Sequence, residues 1–324
     1  MEHLNWSRLR TFRRCARQYH YKYIENLEKK KPKLQLIRGT ILHEMLDAWV
    51  KKTAPTDVLS KYAKQYGALF AEEREEYGDL IGDCQKIFER YMRWHKSQDL
   101  TFIDSEVQIK VQLPGNLPPF VGTLDKIAVD SRKRRWLLDH KSHKNIPGEE
   151  ARFSDLQTLL YVWGWNEQHP KERVTGVCWD YIRTKLPAVP EVLKSGKLSE
   201  RANIDTDAET YLDAIEANKL DEADYKDILK DLNGRQEKFF KRVFLPNPPA
   251  EMIDQIVNEV VATGQMIVKL EDVYKVRSMT KDCSWCTFYG LCHAELRGHD
   301  ANFVRKAEFQ QRKPEVYDAE ESEE

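Results

Sequence analysis

The sequence predicts an α/β (α+β) fold, a central sheet flanked by helices. Three observations predict it. Residues 101–113, TFIDSEVQIKVQL, alternate as a half-buried strand does, and 120–129 and 135–141 repeat the strand signal. Residues 38–51 and 152–168 carry apolar side chains at helical spacing on either side of those strands. Residues 173–183, RVTGVCWDYIR, then return to strand, so helices and strands share one core.

Taken in order, Ser7 is the expected cap of a first helix running to about Tyr19. In RGTILHEMLDAWVK, Ile41, Met45, Ala48 and Trp49 mark one helical face. Residues 57–96 are charged, with Tyr, Phe and Leu at intervals, and predict a helical insertion over about 52–98. Pro114, Gly115, Pro118 and Pro119 mark the turn that makes the three strands an antiparallel meander. Residues 184–232 are polar and read as irregular or helical, and Asn247-Pro-Pro249 opens a helix to about Leu270. Residues 1–309 are expected to form one domain and 310–324 an acidic disordered tail.

The 324 residues are 41% hydrophobic and 32% charged, the balance of a polar globular chain. No run has the apolar length of a membrane span, and MEHLNWSRLRTF lacks the apolar centre of a secretory leader, so no membrane partner and a cytoplasmic location are expected. The net charge of −1 hides an asymmetry. Residues 1–40 hold eleven Lys and Arg against three acids, while the last eleven residues hold six acids and no base. Tyr19, Tyr21 and Tyr23 lie among those bases, the mixture that a single-strand groove uses. A solvated or half-buried helix shows it too.

Phosphodiester hydrolysis needs oxygen ligands for a divalent ion, a group to handle water, and positive charge near the phosphate. Gly122-Thr-Leu-Asp125 ends one strand with a carboxylate, and Trp136-Leu-Leu-Asp139-His-Lys141 ends the next with Asp139 and Lys141 on one face. His43 lies on the helix that follows Gly39, and Gln157 and Tyr161 share a face at i and i+4. Each is an ordinary surface or packing residue when taken alone.

In order, GTILH, GTLD, DHK and QTLLY resemble the pattern of RecB-type nucleases in the PD-(D/E)XK superfamily, across about residues 5–300. The superfamily's nominal proline is absent before Asp125. The resemblance implies a restriction-endonuclease-like mixed sheet. It implies Mg²⁺ or Mn²⁺ held by His43, Asp125, Asp139 and the carbonyl of His140, with Lys141 catalytic and Gln157 and Tyr161 positioning substrate. Glu106 is a further acidic candidate, read as closer to a surface strand residue.

Cys283-Ser-Trp-Cys286-Thr-Phe-Tyr-Gly-Leu-Cys292 sets three thiols within ten residues, and a four-coordinate site needs one more. Cys178 reads as a core thiol, Cys84 lies in the helical insertion, and Cys15 lies beside the basic helix. The iron–sulfur nucleases related to the AddB subunit and to the CRISPR-associated exonucleases join one N-terminal cysteine to three near the C-terminus. Cys15, Cys283, Cys286 and Cys292 resemble that set, which implies a [4Fe–4S] cluster clipping the two ends of the chain together. Zn²⁺ is the alternative metal.

The function expected is a metal-dependent DNA nuclease, an exonuclease acting on single strands or DNA ends. The alternative is a non-catalytic or weakly active iron–sulfur DNA-binding component of a recombination, repair or CRISPR-adaptation complex. A homo-oligomer, and a phage or host setting, stay open.

Overall fold

The computed structural model describes residues 2–30, 34–148, 156–270 and 276–312. Helix α1 (Trp6–Arg14) is capped by Asn5, whose side chain accepts from the Arg8 amide, and not by Ser7. Ser7 is spent elsewhere: its hydroxyl lies 2.8 Å from that of Tyr23. The helix does not run to Tyr19 without a break, because Cys15 is extended at φ −167°. The chain resumes as α2 (Ala16–Tyr19) and one π-helical turn (His20–Ile24). Strand β1 (Leu27–Lys29) follows.

Helix α3 (Leu34–Val50) buries Ile41, Leu42, Met45 and Leu46 against the insertion helices α4 (Pro55–Gly67), α5 (Ala71–Tyr77) and α6 (Leu80–Lys96). The meander is β2 (Thr101–Val111), β3 (Phe120–Val129) and β4 (Arg135–His143). Helix α7 (Leu156–Gln168) then carries the chain to β5 (Gly176–Arg183), which pairs parallel with β4. The expected start of α7 at 152 lies outside the described residues.

The polar stretch that follows holds α8 (Ala208–Ala217) and α9 (Lys226–Asn233), which close a small core of their own around Tyr211, Tyr225 and Leu232. Strand β6 (Phe240–Pro246) has no counterpart in the sequence reading. Its Lys241 and Arg242 hide the strand signal; the sheet edge accommodates Lys241, while Arg242 is buried against Asp180. Helices α10 (Ala250–Leu270), α11 (Tyr289–Leu296) and α12 (Ala301–Glu308) lead to β7 (Phe309–Gln311).

The central sheet has the order β2-β3-β4-β5-β6 and is antiparallel except between β4 and β5. A mixed five-stranded sheet flanked by helices is thus present. One face packs Ile127, Leu137, Val177 and Trp179 against α7 and α10. The other receives α3 and α6, with Ile87 and Tyr91 meeting Ile182 and Phe240. The insertion therefore contributes α6 to the main layers. Gln310 and Gln311 pair with Glu28 and Leu27, so they belong to a strand and not to the tail expected from residue 310. Residues 313–324 lie outside the described residues.

Candidate active site

Strand alternation should send residues three apart to opposite faces. Leu124 and Ile127 nevertheless enter the same core cluster, so the alternation slips between them. The slip falls between Ser105↔Lys126 and Val107↔Leu124, where the register is kept but Glu106 and Asp125 are left out of the ladder. Glu106 takes φ +53°, a left-handed conformation that costs a non-glycine residue about 1–2 kcal/mol. The twist frees Asp125 from the regular face of the sheet. The Asp125 carboxylate accepts the His140 amide at 2.9 Å and lies 3.4 Å from His43 Nδ1.

The expected residues converge from four elements. Lys141 pairs with Asp139 across the i, i+2 step of β4. Thr158 on α7 reaches Asp139 at 3.5 Å, and its oxygen accepts from Trp179 Nε1 at 3.0 Å. Gln157 donates to the Tyr161 hydroxyl at 2.9 Å. His43 on α3 also hydrogen-bonds to the His140 backbone. Two glycines permit this closeness. A Cβ at Gly122 would stand 2.4 Å from the Tyr161 ring, and one at Gly39 would stand 2.7 Å from Ser142 Oγ.

Burial sets the protonation of these groups. It pushes the His43 imidazole below its ordinary range against the pull of Asp139, which favours a neutral ring. It raises the Asp125 carboxyl, an effect that Glu106 adds to and the His140 amide opposes. It lowers the Lys126 ammonium, which is sealed under the site and donates to the Asp125 carbonyl at 2.9 Å. Glu106 is exposed, as expected, yet it lines the same cleft as His43, Asp125, Glu44 and Asp47.

Among the described residues, no three His, Cys, Asp or Glu side chains stand as a ready metal-holding group. The donors still suit a hard divalent ion. His43 touches both Asp125 and the His140 backbone, and Asp139 is on the neighbouring strand.

Cys15, Cys283, Cys286 and Cys292 line one pocket together with Arg14, Arg17 and Arg277. Cys15 Sγ accepts the Ser278 amide at 3.5 Å, and Cys292 Sγ accepts from Arg277 Nε at 3.3 Å. Four cysteines with cations and N–H donors around them suit an anionic metal–sulfur centre. Cys84 and Cys178 are buried elsewhere.

Two features were missed from sequence. One is a groove of about 650 Å³ between α1, β3 and α7, lined by Trp6, Arg10, Arg14, Lys22, Gln157 and Tyr161 among others. Arg13 on α1 and Arg17 on α2 are otherwise engaged. Arg13 bonds Glu259 and Thr263, and Arg17 pairs with Glu295. The other is a buried polar row behind β4, signalled only by Asp180, one of two charges in the all-buried strand GVCWDYIR.

The chain matches the PD-(D/E)XK nuclease superfamily over residues 3–293 and belongs to it. Among solved structures, the crystal structure of SSO0001 is similar at 12% identity, covering 90% of this chain and 86% of that one, with a TM-score of 0.38. No curated protein matches. Among the described residues, no helix is long and apolar enough to cross a membrane.

Proposed function

We propose that this chain is a metal-dependent deoxyribonuclease, an exonuclease working on single-stranded DNA or DNA ends. The observation that carries the reading is the meeting of His43, Asp125 and the His140 backbone beside the Asp139–Lys141 pair. Asp125, Asp139, His43 and the His140 carbonyl would hold Mg²⁺ or Mn²⁺. The chemistry such an ion supplies is polarisation of a phosphoryl oxygen and acidification of water. Lys141, fixed by Asp139, orients the water and offsets charge growing on the phosphate. Tyr161 and Gln157 stand between this centre and the groove. Arg10, Arg14 and Lys22 would neutralise backbone phosphates there, and Trp6 would stack on a base.

The cysteine pocket is read as the site of a [4Fe–4S] cluster held by Cys15, Cys283, Cys286 and Cys292, with Zn²⁺ as the alternative. Arg14, Arg17 and Arg277 would compensate its negative charge. Arg14 also lines the DNA groove, so the cluster would steady one wall of that groove.

End-labelled single- and double-stranded DNA, incubated with Mg²⁺ or Mn²⁺ and with a chelator, tests the nuclease. Stepwise shortening of the labelled strand that stops with the chelator is expected. Intact DNA under every condition would overturn the reading in favour of a non-catalytic DNA-binding component. Protein purified without oxygen should be brown and contain iron and sulfide, and a colourless preparation with stoichiometric zinc would remove the cluster.

A further inference from the structure

Behind the candidate site, three strands set one polar residue each in a single row. His140 on β4 is in register with Asp180 on β5, and Asp180 is in register with Arg242 on β6. Helix α6 covers the row with Tyr91 and His95, one turn apart. Tyr91 Oη donates to Asp180 at 2.5 Å and lies 3.1 Å from His140 Nε2. Arg242 bonds Asp180 at 2.5 Å and donates to His95 Nδ1 at 3.1 Å. The His140, Asp180 and Arg242 side chains are 1%, 0% and 4% exposed.

Donor rules orient the whole row. Arg242 only donates, so His95 Nδ1 accepts. Tyr91 gives its one proton to Asp180, so its oxygen accepts the Nε2–H of a neutral His140. A fully buried ion pair is a poor choice for stability alone, since well-packed apolar residues do as well or better. Here it also leaves Asp180 Oδ1, Arg242 Nε and Nη1, and His140 Nδ1 without hydrogen-bond partners among the described residues.

The row ends on His140, whose main chain serves the site twice. The His140 amide holds the Asp125 carboxylate, and its backbone also engages His43. Its chain neighbours are Asp139 and Lys141. A small rotation of the residue-140 peptide would therefore move four site groups together. We propose that the Arg242–Asp180–Tyr91–His140 row is a positioning network for phosphodiester cleavage, fixing the peptide that aims Asp125, His43, Asp139 and Lys141. This rests on the nuclease reading. None of the four side chains in the row touches substrate in this role. The network acts through geometry, as outer partners of metal ligands do.

The test is Tyr91→Phe, which removes one oxygen and keeps the ring. Turnover should fall about 10–100-fold, with the KM for DNA within about twofold and the half-saturating Mg²⁺ concentration raised. His140→Gln keeps a donor toward Tyr91 and should retain most of the rate, whereas His140→Leu should lose it as Tyr91→Phe does. A packing role alone would shift the melting temperature of these variants and leave turnover and the Mg²⁺ midpoint unchanged among folded proteins. That result, or equal rates for His140→Gln and His140→Leu, would overturn the proposal. Mn²⁺ affinity, read by spin resonance without DNA, separates the two levels. If wild-type protein cleaves no DNA, the nuclease reading fails by itself. An unchanged Mn²⁺ affinity in Tyr91→Phe then removes the network as well.

Discussion

The carboxylate centre and the cysteine pocket are built by opposite means. The first is assembled by sheet register: Asp125 and Asp139 lie midway along adjacent strands, not at the strand ends that the sequence suggested, and α3 and α7 add His43, Gln157 and Tyr161 from either side. The second gathers residue 15 with residues 283–292, and no strand of the central sheet takes part. What holds it is a hub on Glu295, which pairs with Arg17, Arg277 and Arg305 and accepts from Tyr21. Tyr21, Leu27, Phe288, Leu291 and Phe309 form a small apolar core beside it. The two chain ends are therefore joined by packing and ion pairs, a link the sequence did not suggest. Register sets positions locally and resists small perturbation. A hub concentrates the same task in one side chain.

Breaking the carboxylate centre should show in chemistry without loss of fold. Lys141→Ala removes the positive charge from Asp139 and should lower turnover about 10²–10⁴-fold, with melting temperature and DNA affinity near wild type. Wild-type turnover in this variant would dissolve the assignment of the Asp139–Lys141 pair.

Breaking the hub should show in stability. Glu295→Gln leaves the three arginines facing a neutral amide and should cost roughly 3–5 kcal/mol in urea unfolding, since the Glu295 side chain is only 13% exposed. A loss below about 1 kcal/mol, the range of surface pairs, would mean that the pocket is held by its apolar core alone.

The polar row behind β4 sharpens the contrast through pH. Burial, with Arg242 adding to it, lowers the His95 imidazole to about 4. A histidine depressed in the folded state stabilises fully above its unfolded value near 6.5 and loses that stability as pH falls toward 4. The loss should reach roughly 3 kcal/mol across this window and should be flatter in His95→Asn. Parallel curves for the two proteins would show that His95 is protonated in the folded state.

The smallest effect is expected at the groove, where contacts are exposed and additive. Arg10→Glu with Arg14→Glu should weaken single-stranded DNA binding about 10–100-fold and reduce the salt slope by about 1–2. The same reversal at Arg13 should do less, because Arg13 already bonds Glu259 and Thr263. If Arg13 matters as much as Arg10, the DNA path crosses the other side of α1.

The sequence by itself determined the meander, the flanking helices and the ordered motif residues. Strand alternation, helical spacing and turn chemistry are local, and they survive in one dimension. It also carried the four cysteines as a candidate set, because three of them are close in the chain. Tertiary structure decided the rest. No local signal could give the slip at Glu106 and Asp125, which exists only where two strands pair. Edge strand β6 was hidden because its charges read as surface until Arg242 met Asp180. Which basic residues face the groove depended on partners some 250 residues away, Glu259 for Arg13 and Glu295 for Arg17. Local propensity fixes which elements form. Side-chain direction at a site is set by long-range pairing, and sequence spacing alone does not encode it.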